Sequence, residues 1–310
     1  MDNFILFFLS FFGVLLLLYP FERLQKRIRI GQFIREEGPD LHNHKTGTPT
    51  SAGIIFISIA LILQVFFNKG QDVLIIALSG AFFGLTGAID DLAKLLKRNA
   101  AGVSAAFRLI LEFSFAFLIV YLIQRINPHT YLLLPFSGKN IEMGWLYFPF
   151  SAFVIVGTAN AVNLTDGVDG LAGSVFIASV LPLIILNYQS SFYFTLVGAL
   201  LGFLWHNWYP AKVFMGDTGS LSLGGILATT MALTGREVYL ILFAFVFLLE
   251  TLSVIIQVAS FKLRKKRVFK MAPVHHHFEL SGWHESKIAS RFSVVALLSS
   301  VLGIIAWRGK

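Results

Sequence analysis

The sequence predicts an all-α, polytopic membrane protein, and three observations predict it. The chain is 56% hydrophobic and only 14% charged, whereas soluble domains carry roughly a quarter charged residues. Its mean hydropathy is +0.73, and 32 phenylalanines exceed what a soluble core of 310 residues uses. Finally, many of its apolar runs reach the roughly 17 to 25 residues that a spanning helix requires.

Ten such runs lie near residues 3–19, 51–67, 73–89, 106–123, 146–161, 170–187, 192–208, 219–234, 238–258 and 288–307. They predict about ten transmembrane helices forming one transmembrane domain over residues 1–310. The first run, Phe4 to Tyr19, has no basic residue before it and no small-residue cleavage site after it. It reads as a retained span rather than a removed signal peptide. There are no cysteines, so disulfide and thiolate chemistry are excluded.

Lysine and arginine set the orientation. Segments 20–50, 90–105, 162–169, 209–218 and 259–287, with Arg291, carry 18 of the 25 basic residues. The opposite set carries six, and Arg108 lies at the edge of a span. The first set is therefore expected in the cytoplasm and both termini outside. The net charge of +8 follows from this topology and from attraction to anionic lipid headgroups, so no nucleic-acid partner is implied. The external segment 124–147, with Pro128, Pro135, Gly138 and Gly144, predicts a small hairpin cap.

The chemistry gathers on the expected cytoplasmic face. Asp90 and Asp91 follow the third span, with Lys94 one helical turn on. Asp166 and Asp169 lie in NAVNLTDGVDGLAG (160–173), and Asp217 in PAKVFMGDTGS (210–220). Carboxylates beside a hydrocarbon core are expensive and mark function, and three separate loops deliver five of them to the side that favours positive charge. Convergence on one site explains this. Acids gathered this way suit Mg²⁺, which takes one or two carboxylates plus substrate phosphates, and so fit phosphoryl-group chemistry. Neighbouring carboxylates also push one another's pKa apart, which leaves one able to act as a base.

HKTGTPTSAG (44–53) places Lys45 and several hydroxyl and backbone groups where a phosphate can be met. MAPVHHHFEL (271–280) follows the basic run Lys262 to Lys270. Adjacent helical positions point about 100° apart, so three consecutive histidines do not face one ion, and anion recognition is the better reading than zinc. The glycines at 167, 170 and 173 make no dinucleotide fingerprint, because no strand–helix unit surrounds them.

Together HKTGTPTSAG, DDLAK (90–94), NAVNLTDGVDGLAG and NWYPAKVFMGDTGS resemble the polyprenyl-phosphate N-acetylhexosamine-1-phosphate transferases. Within that superfamily APVHHHFEL resembles the signature of the phospho-N-acetylmuramoyl-pentapeptide-transferases, and the similarity extends over essentially all spans and cytoplasmic loops. The resemblance implies a ten-span, commonly homodimeric enzyme of the bacterial cytoplasmic membrane with an inner-face active site. Its substrates would be UDP-MurNAc-pentapeptide and undecaprenyl phosphate, its products lipid I and UMP, and its cofactor Mg²⁺. The reaction is the first membrane step of peptidoglycan synthesis.

The resemblance also implies roles. Asp90 is the expected base toward the lipid phosphate, with Asp91 supporting it. Asp217 is the expected magnesium ligand, and His275 a histidine required for activity. Asn163, Asp166 and Asp169 would surround the nucleoside and sugar. Lys45, Lys94, Asn207 and Phe214 would line the cleft, with Phe214 a stacking surface for uracil; His276 and His277 complete the substrate-binding set. His44, which leads the first motif, is less diagnostic. The sequence leaves open whether the lipid phosphate attacks directly or an aspartate acts first as nucleophile.

Three rivals are weaker. DTGS (217–220) matches an aspartic-protease triplet, but a protease gives no role to the histidines or to the DD and NLTDG loops. A transporter would place its charges near the bilayer midplane, and Glu250, inside a predicted span, is too little to support transport. A transferase of GlcNAc-1-phosphate is the nearest alternative, and the HHHFE motif argues against it.

Overall fold

The structure is a computed structural model and describes residues 2–27, 31, 45, 47–97 and 101–308. The described residues form an all-α molecule with one small hairpin. Its helices are α1 (Asn3–Arg27), α2 (Gly53–Phe67), α3 (Gln71–Lys97), α4 (Ala105–Ile126), α5 (Tyr147–Thr165), α6 (Leu171–Ile185) and α7 (Ser190–Asn207). They continue as α8 (Gly216–Ala232), α9 (Leu240–Phe243), α10 (Phe245–Arg264), α11 (Val274–Glu279) and α12 (Glu285–Arg308).

Each of the ten apolar stretches is helical over most of its length. Among the described residues six segments are long and apolar enough to cross a membrane: α1, α3, α4, Gly144–Thr165 (which contains α5), α10 and α12. The others fall short for identifiable reasons. Helices α2 and α6 have 15 residues each, α7 ends in His206 and Asn207, and α8 is rich in glycine, serine and threonine. The ninth stretch is divided at Ala244 into α9 and α10. Strands β1 (Tyr131–Leu133) and β2 (Asn140–Glu142) pair antiparallel with Leu132 opposite Ile141, which gives the hairpin expected in segment 124–147.

Helix α8 is the centre of the bundle. Every residue from Thr218 to Ala232 is buried, and the helix packs on α3, α5 and α2. Lipid tails are as apolar as leucine, so helices in a membrane associate through close packing and small residues rather than through the hydrophobic effect. The residues of α8 suit that task. Gly80, Gly84 and Gly87 lie four and three positions apart, on one stripe of α3. A Cβ added to them would run into Ile226, Ser222 and the Asp217–Thr218 backbone respectively. Gly224 is similarly pressed against Thr158 and Ala159 of α5, and Gly219 lies against Gly53 of α2.

The hydroxyls along this close contact are satisfied across it, as buried polar groups in an apolar medium must be. Ser222 Oγ donates to Gly80 O (2.8 Å) and Thr229 Oγ1 to Ser79 Oγ (2.8 Å). On the flanks, α1 packs on α7 and α12 on α6. Ser10 Oγ donates to Thr195 O and Ser300 Oγ to Ala178 O, at 2.8 and 2.9 Å.

The consequence for the site is positional. Helix α3 does not stop near residue 89 but runs on to Lys97, so Asp90, Asp91 and Lys94 are carried by a helix rather than by a following loop. The first turn of α8 is held beside them.

A methyl group at position 87 cannot fit without moving α8. Overpacking a tight contact typically costs about 1–3 kcal/mol. Gly87→Ala is expected to lower the midpoint of thermal unfolding in detergent and to reduce turnover. Gly157→Ala, with open space around its Cβ, is expected to leave both near wild type. Equal effects of the two substitutions would remove the α3–α8 contact as the cause.

Candidate active site

Asp91 and Asp217 define the core of the site, and they do different things. Asp91 is buried, and its carboxylate receives the start of α8: Oδ1 accepts Asp217 N (3.0 Å), while Oδ2 accepts Thr218 N (3.2 Å) and Thr218 Oγ1 (2.8 Å). A helix N-terminus has unpaired N–H groups and a partial positive charge. Asp91 is thus a cap supplied from another helix. Its oxygens are occupied by backbone and hydroxyl donors, next in sequence to Asp90, which it is expected to support.

Asp217 projects from that capped turn into a ring of donors. Its Oδ2 is 3.0 Å from Lys94 Nζ and 3.3 Å from Arg108 Nη1, and its Oδ1 accepts Asn163 Nδ2 at 3.0 Å. Asn163 Nδ2 also donates to Ser220 Oγ (2.9 Å). Asp90, one residue from Asp91 and so about 100° round the helix, faces Lys94 (Oδ2–Nζ 2.8 Å) and accepts Val103 N on Oδ1 (2.8 Å). Gly102, at φ +59°, passes so close to this carboxylate that a side chain there would collide with it.

The loop between α5 and α6 supplies the opposite wall. Asp166 follows the end of α5, and burial pushes its carboxyl up to about 8, with the Asp217, Asp91 and Asp169 carboxylates adding and Lys45 opposing. Asp169 is committed elsewhere. Its Oδ1 is 2.7 Å from Lys45 Nζ and its Oδ2 accepts Ala211 N (2.8 Å). Lys45 is also 2.5 Å from Glu285 Oε2, which accepts Asp169 N as well. A buried lysine held between two carboxylates is a clamp joining three segments. Asn207 is a second clamp. Its Oδ1 accepts Gly170 N and its Nδ2 donates to Val213 O, and it is buried. Phe214 is half-buried, with its backbone tied to Pro49 and Ala52. His44 and Thr46 of the first motif lie outside the described residues.

The three histidines sit on α11, with the rings of His275 and His276 4.1 Å apart between centroids. His275 is fully buried; its Nδ1 lies 3.2 Å from Glu250 Oε2, and its Nε2 abuts Gly167, where any side chain would collide with the ring. His276 Nδ1 lies 2.6 Å from Glu279 Oε2, and His277 Nδ1 accepts Lys270 N (3.1 Å). Among the described residues no three His, Cys, Asp or Glu side chains form a metal cluster.

Sequence reasoning missed several participants. Arg108 and Glu112 are spaced i, i+4 in an otherwise apolar helix, with Asn160 bridging them. Glu250, set aside above as an isolated acid, is the partner of His275. In each case the available signal was an ionisable residue inside a span, which is costly enough to require a partner.

The raised Asp166 carboxyl gives a pH test. Its ordinary value is 3.8 and its folded value about 8, so between these the folded state holds more protons than the unfolded one and stability falls as pH rises. In metal-free protein Asp166→Asn is therefore expected to unfold at a higher temperature than wild type at pH 8.5. The gap should narrow as pH is lowered toward 5. A difference that does not change with pH would sink this account of Asp166.

Comparison with known proteins identifies the arrangement. Residues 73–235 match the model of "Glycosyl transferase family 4". The chain is 61% identical to the phospho-N-acetylmuramoyl-pentapeptide-transferase of Kosmotoga olearia, covering 99% of both chains. It is 43% identical to the enzyme of that name from Petrotoga mobilis (94% of this chain, 95% of the relative) and 44% identical to the one from Staphylococcus carnosus (92% of each). With more than half of its length matched by the family model, and relatives that align almost end to end, the chain belongs to glycosyl transferase family 4 and, within it, to the phospho-N-acetylmuramoyl-pentapeptide-transferases.

Proposed function

We propose that this protein transfers phospho-MurNAc-pentapeptide from UDP-MurNAc-pentapeptide to undecaprenyl phosphate, releasing UMP and forming lipid I. The observation that carries the reading is the near-complete alignment with transferases of that name, joined to one site in which Asp90, Lys94, Asn163 and Asp217 meet. The ten-helix span count, termini outside the cell, and a site on the cytoplasmic face belong to the same proposal and are supported by the 18-to-six distribution of basic residues. Homodimerisation is included on the strength of the family resemblance.

The donor set suits a magnesium ion. It offers carboxylate oxygens and no thiolate, and burial, with the Asp217, Asp91 and Asp169 carboxylates adding to it, raises Asp166 to about 8; a hard cation would relieve the negative charge gathered there. Asp217 would hold the ion, which when bound neutralises charge on the diphosphate.

The remaining steps fall to the chain's own groups. An oxygen of the lipid phosphate forms a bond to the sugar-side phosphorus as the bond from that phosphorus to the bridging oxygen breaks and UMP departs. Asp90 takes the proton of any lipid phosphate that arrives protonated; with a second phosphate pKa near ~6, few do at neutral pH, so this help is modest. Lys94 and Arg108, both on Asp217, bring fixed positive charge to where negative charge builds up. Asn163 orients Asp217. Nε2 of His275 is buried against Gly167, so the ring would back the Asp166–Gly167 wall of the site.

An assay offering labelled UDP-MurNAc-pentapeptide and UDP-GlcNAc separately, each with undecaprenyl phosphate, is expected to yield lipid product from the first only. Product from UDP-GlcNAc alone would transfer the protein to the GlcNAc-1-phosphate branch.

Asp217→Asn is expected to abolish Mg²⁺-dependent turnover, a loss of at least ~10³-fold by analogy with other charge-stabilising groups, while the protein still purifies as a folded species. Near-normal turnover would remove Asp217 from the metal site.

A further inference from the structure

Glu112 is the most expensive residue in the bundle that the reaction scheme leaves idle. It is fully buried inside α4, a membrane-spanning segment. A carboxylate there is far from water and needs a compensating partner. Its partners are a hydrogen-bonded chain through Asn160 to Arg108, with the Arg108 and Glu112 charges facing each other. Glu112 Oε2 accepts Asn160 Nδ2 at 2.6 Å, Asn160 Oδ1 accepts Arg108 Nη2 at 3.0 Å, and Arg108 Nε lies 3.4 Å from Glu112 Oε1. Arg108 leaves this network by one edge only, Nη1, which points at Asp217 Oδ2.

We infer that Glu112 is a positioning residue for the transfer reaction: through Asn160 and its own charge it holds the Arg108 guanidinium with one edge presented at Asp217. Three features carry this. A guanidinium is a planar fork whose N–H directions are fixed, so the Nη2 bond to Asn160, with the Glu112 charge beside Nε, sets where Nη1 points. The anchor comes from two helices, α4 and α5, and is therefore rigid. The charge of Glu112 also balances that of Arg108, so the cation at Asp217 is held there without making the site too positive for a divalent ion. Deeply buried acids retained in a span are otherwise hard to account for, since a buried pair is often no more stabilising than apolar residues of the same size. The inference rests on the reading of Asp217 as part of the catalytic centre.

The test is a double-mutant cycle in the full chain reconstituted in lipid, with Glu112→Gln, Arg108→Gln and the pair. Glutamine keeps an acceptor for Asn160 and removes only the charge. Each single substitution is expected to lower kcat/KM for UDP-MurNAc-pentapeptide by at least about 10-fold, and the pair no further than Arg108→Gln alone, because residues acting as a unit are non-additive. Losses that multiply, or a Glu112→Gln enzyme within about two-fold of wild type, would overturn the inference.

Binding of Mn²⁺ followed by electron paramagnetic resonance gives a readout apart from turnover. Glu112→Gln should weaken it by about three- to ten-fold and Arg108→Gln should tighten it, since the two remove opposite charges close to Asp217. Shifts in the same direction, or none, would count against the inference. If Glu112→Gln does not fold, the paired variant, which buries no unbalanced charge, and Asn160→Ala supply the same comparison. Mn²⁺ binding that survives Asp217→Asn would show that the metal reading has failed, while the kinetic cycle still decides the role of Glu112.

Discussion

The close approach of α3 and α8 is the contact on which the remainder depends. Three glycines on one stripe of α3 let the α8 backbone come within reach of the Asp91 carboxylate. Without that approach the amides of Asp217 and Thr218 would lack their acceptor, and without the acceptor the N-terminus of α8 would end unpaired at the edge of an apolar bundle, a costly arrangement. Packing and capping therefore reinforce each other. Because α8 is also pressed on α5 at Gly224, the same seat brings Asn160 and Asn163 to the side of Asp217. One helix placed correctly assembles side chains from α3, α4, α5 and α8.

This arrangement explains why adjacent aspartates divide their labour. On a helix Asp90 and Asp91 point about 100° apart. The one that faces α8 is used up as a cap; the one that faces the segment after α3 meets Lys94 and the Val103 amide. The pair as a motif was legible in the sequence, as were the apolar stretches, the hairpin and the loops that converge. Which member of the pair stays available was not legible, because that depends on the rotation of α3 against a helix 126 residues away.

Other features were hidden for the same reason. Lys45 and Asn207 sit in motifs that signal phosphate and cleft contacts, yet Asp169, Glu285 and Gly170 come from distant stretches and, with Val213 nearby, turn them into clamps. Motif membership reports that a residue belongs to the site's neighbourhood. Whether it faces the cavity or ties the walls together is decided by tertiary contacts that spacing does not encode. The NAVNLTDGVDGLAG stretch shows both outcomes within a few residues, since Asn163 reaches Asp217 while Asp169 is locked to Lys45.

Two buried acids complete the physical picture. Glu112 in α4 and Glu250 in α10 are fully enclosed, and each lies beside one basic side chain, Arg108 or His275. Both bases in turn touch the stretch from Asn160 to Gly167 or its neighbour Asp217. In a medium of low dielectric a carboxylate holds such a partner far more firmly than it would in water, and it fixes direction as well as charge. A substrate carrying a diphosphate needs positive groups, but cations left free at the membrane edge would snorkel toward headgroups. Acids placed behind Arg108 and His275 hold both side chains facing inward. The expense of burying a carboxylate in a span is then the means by which a polar site is kept rigid at the boundary of a bilayer.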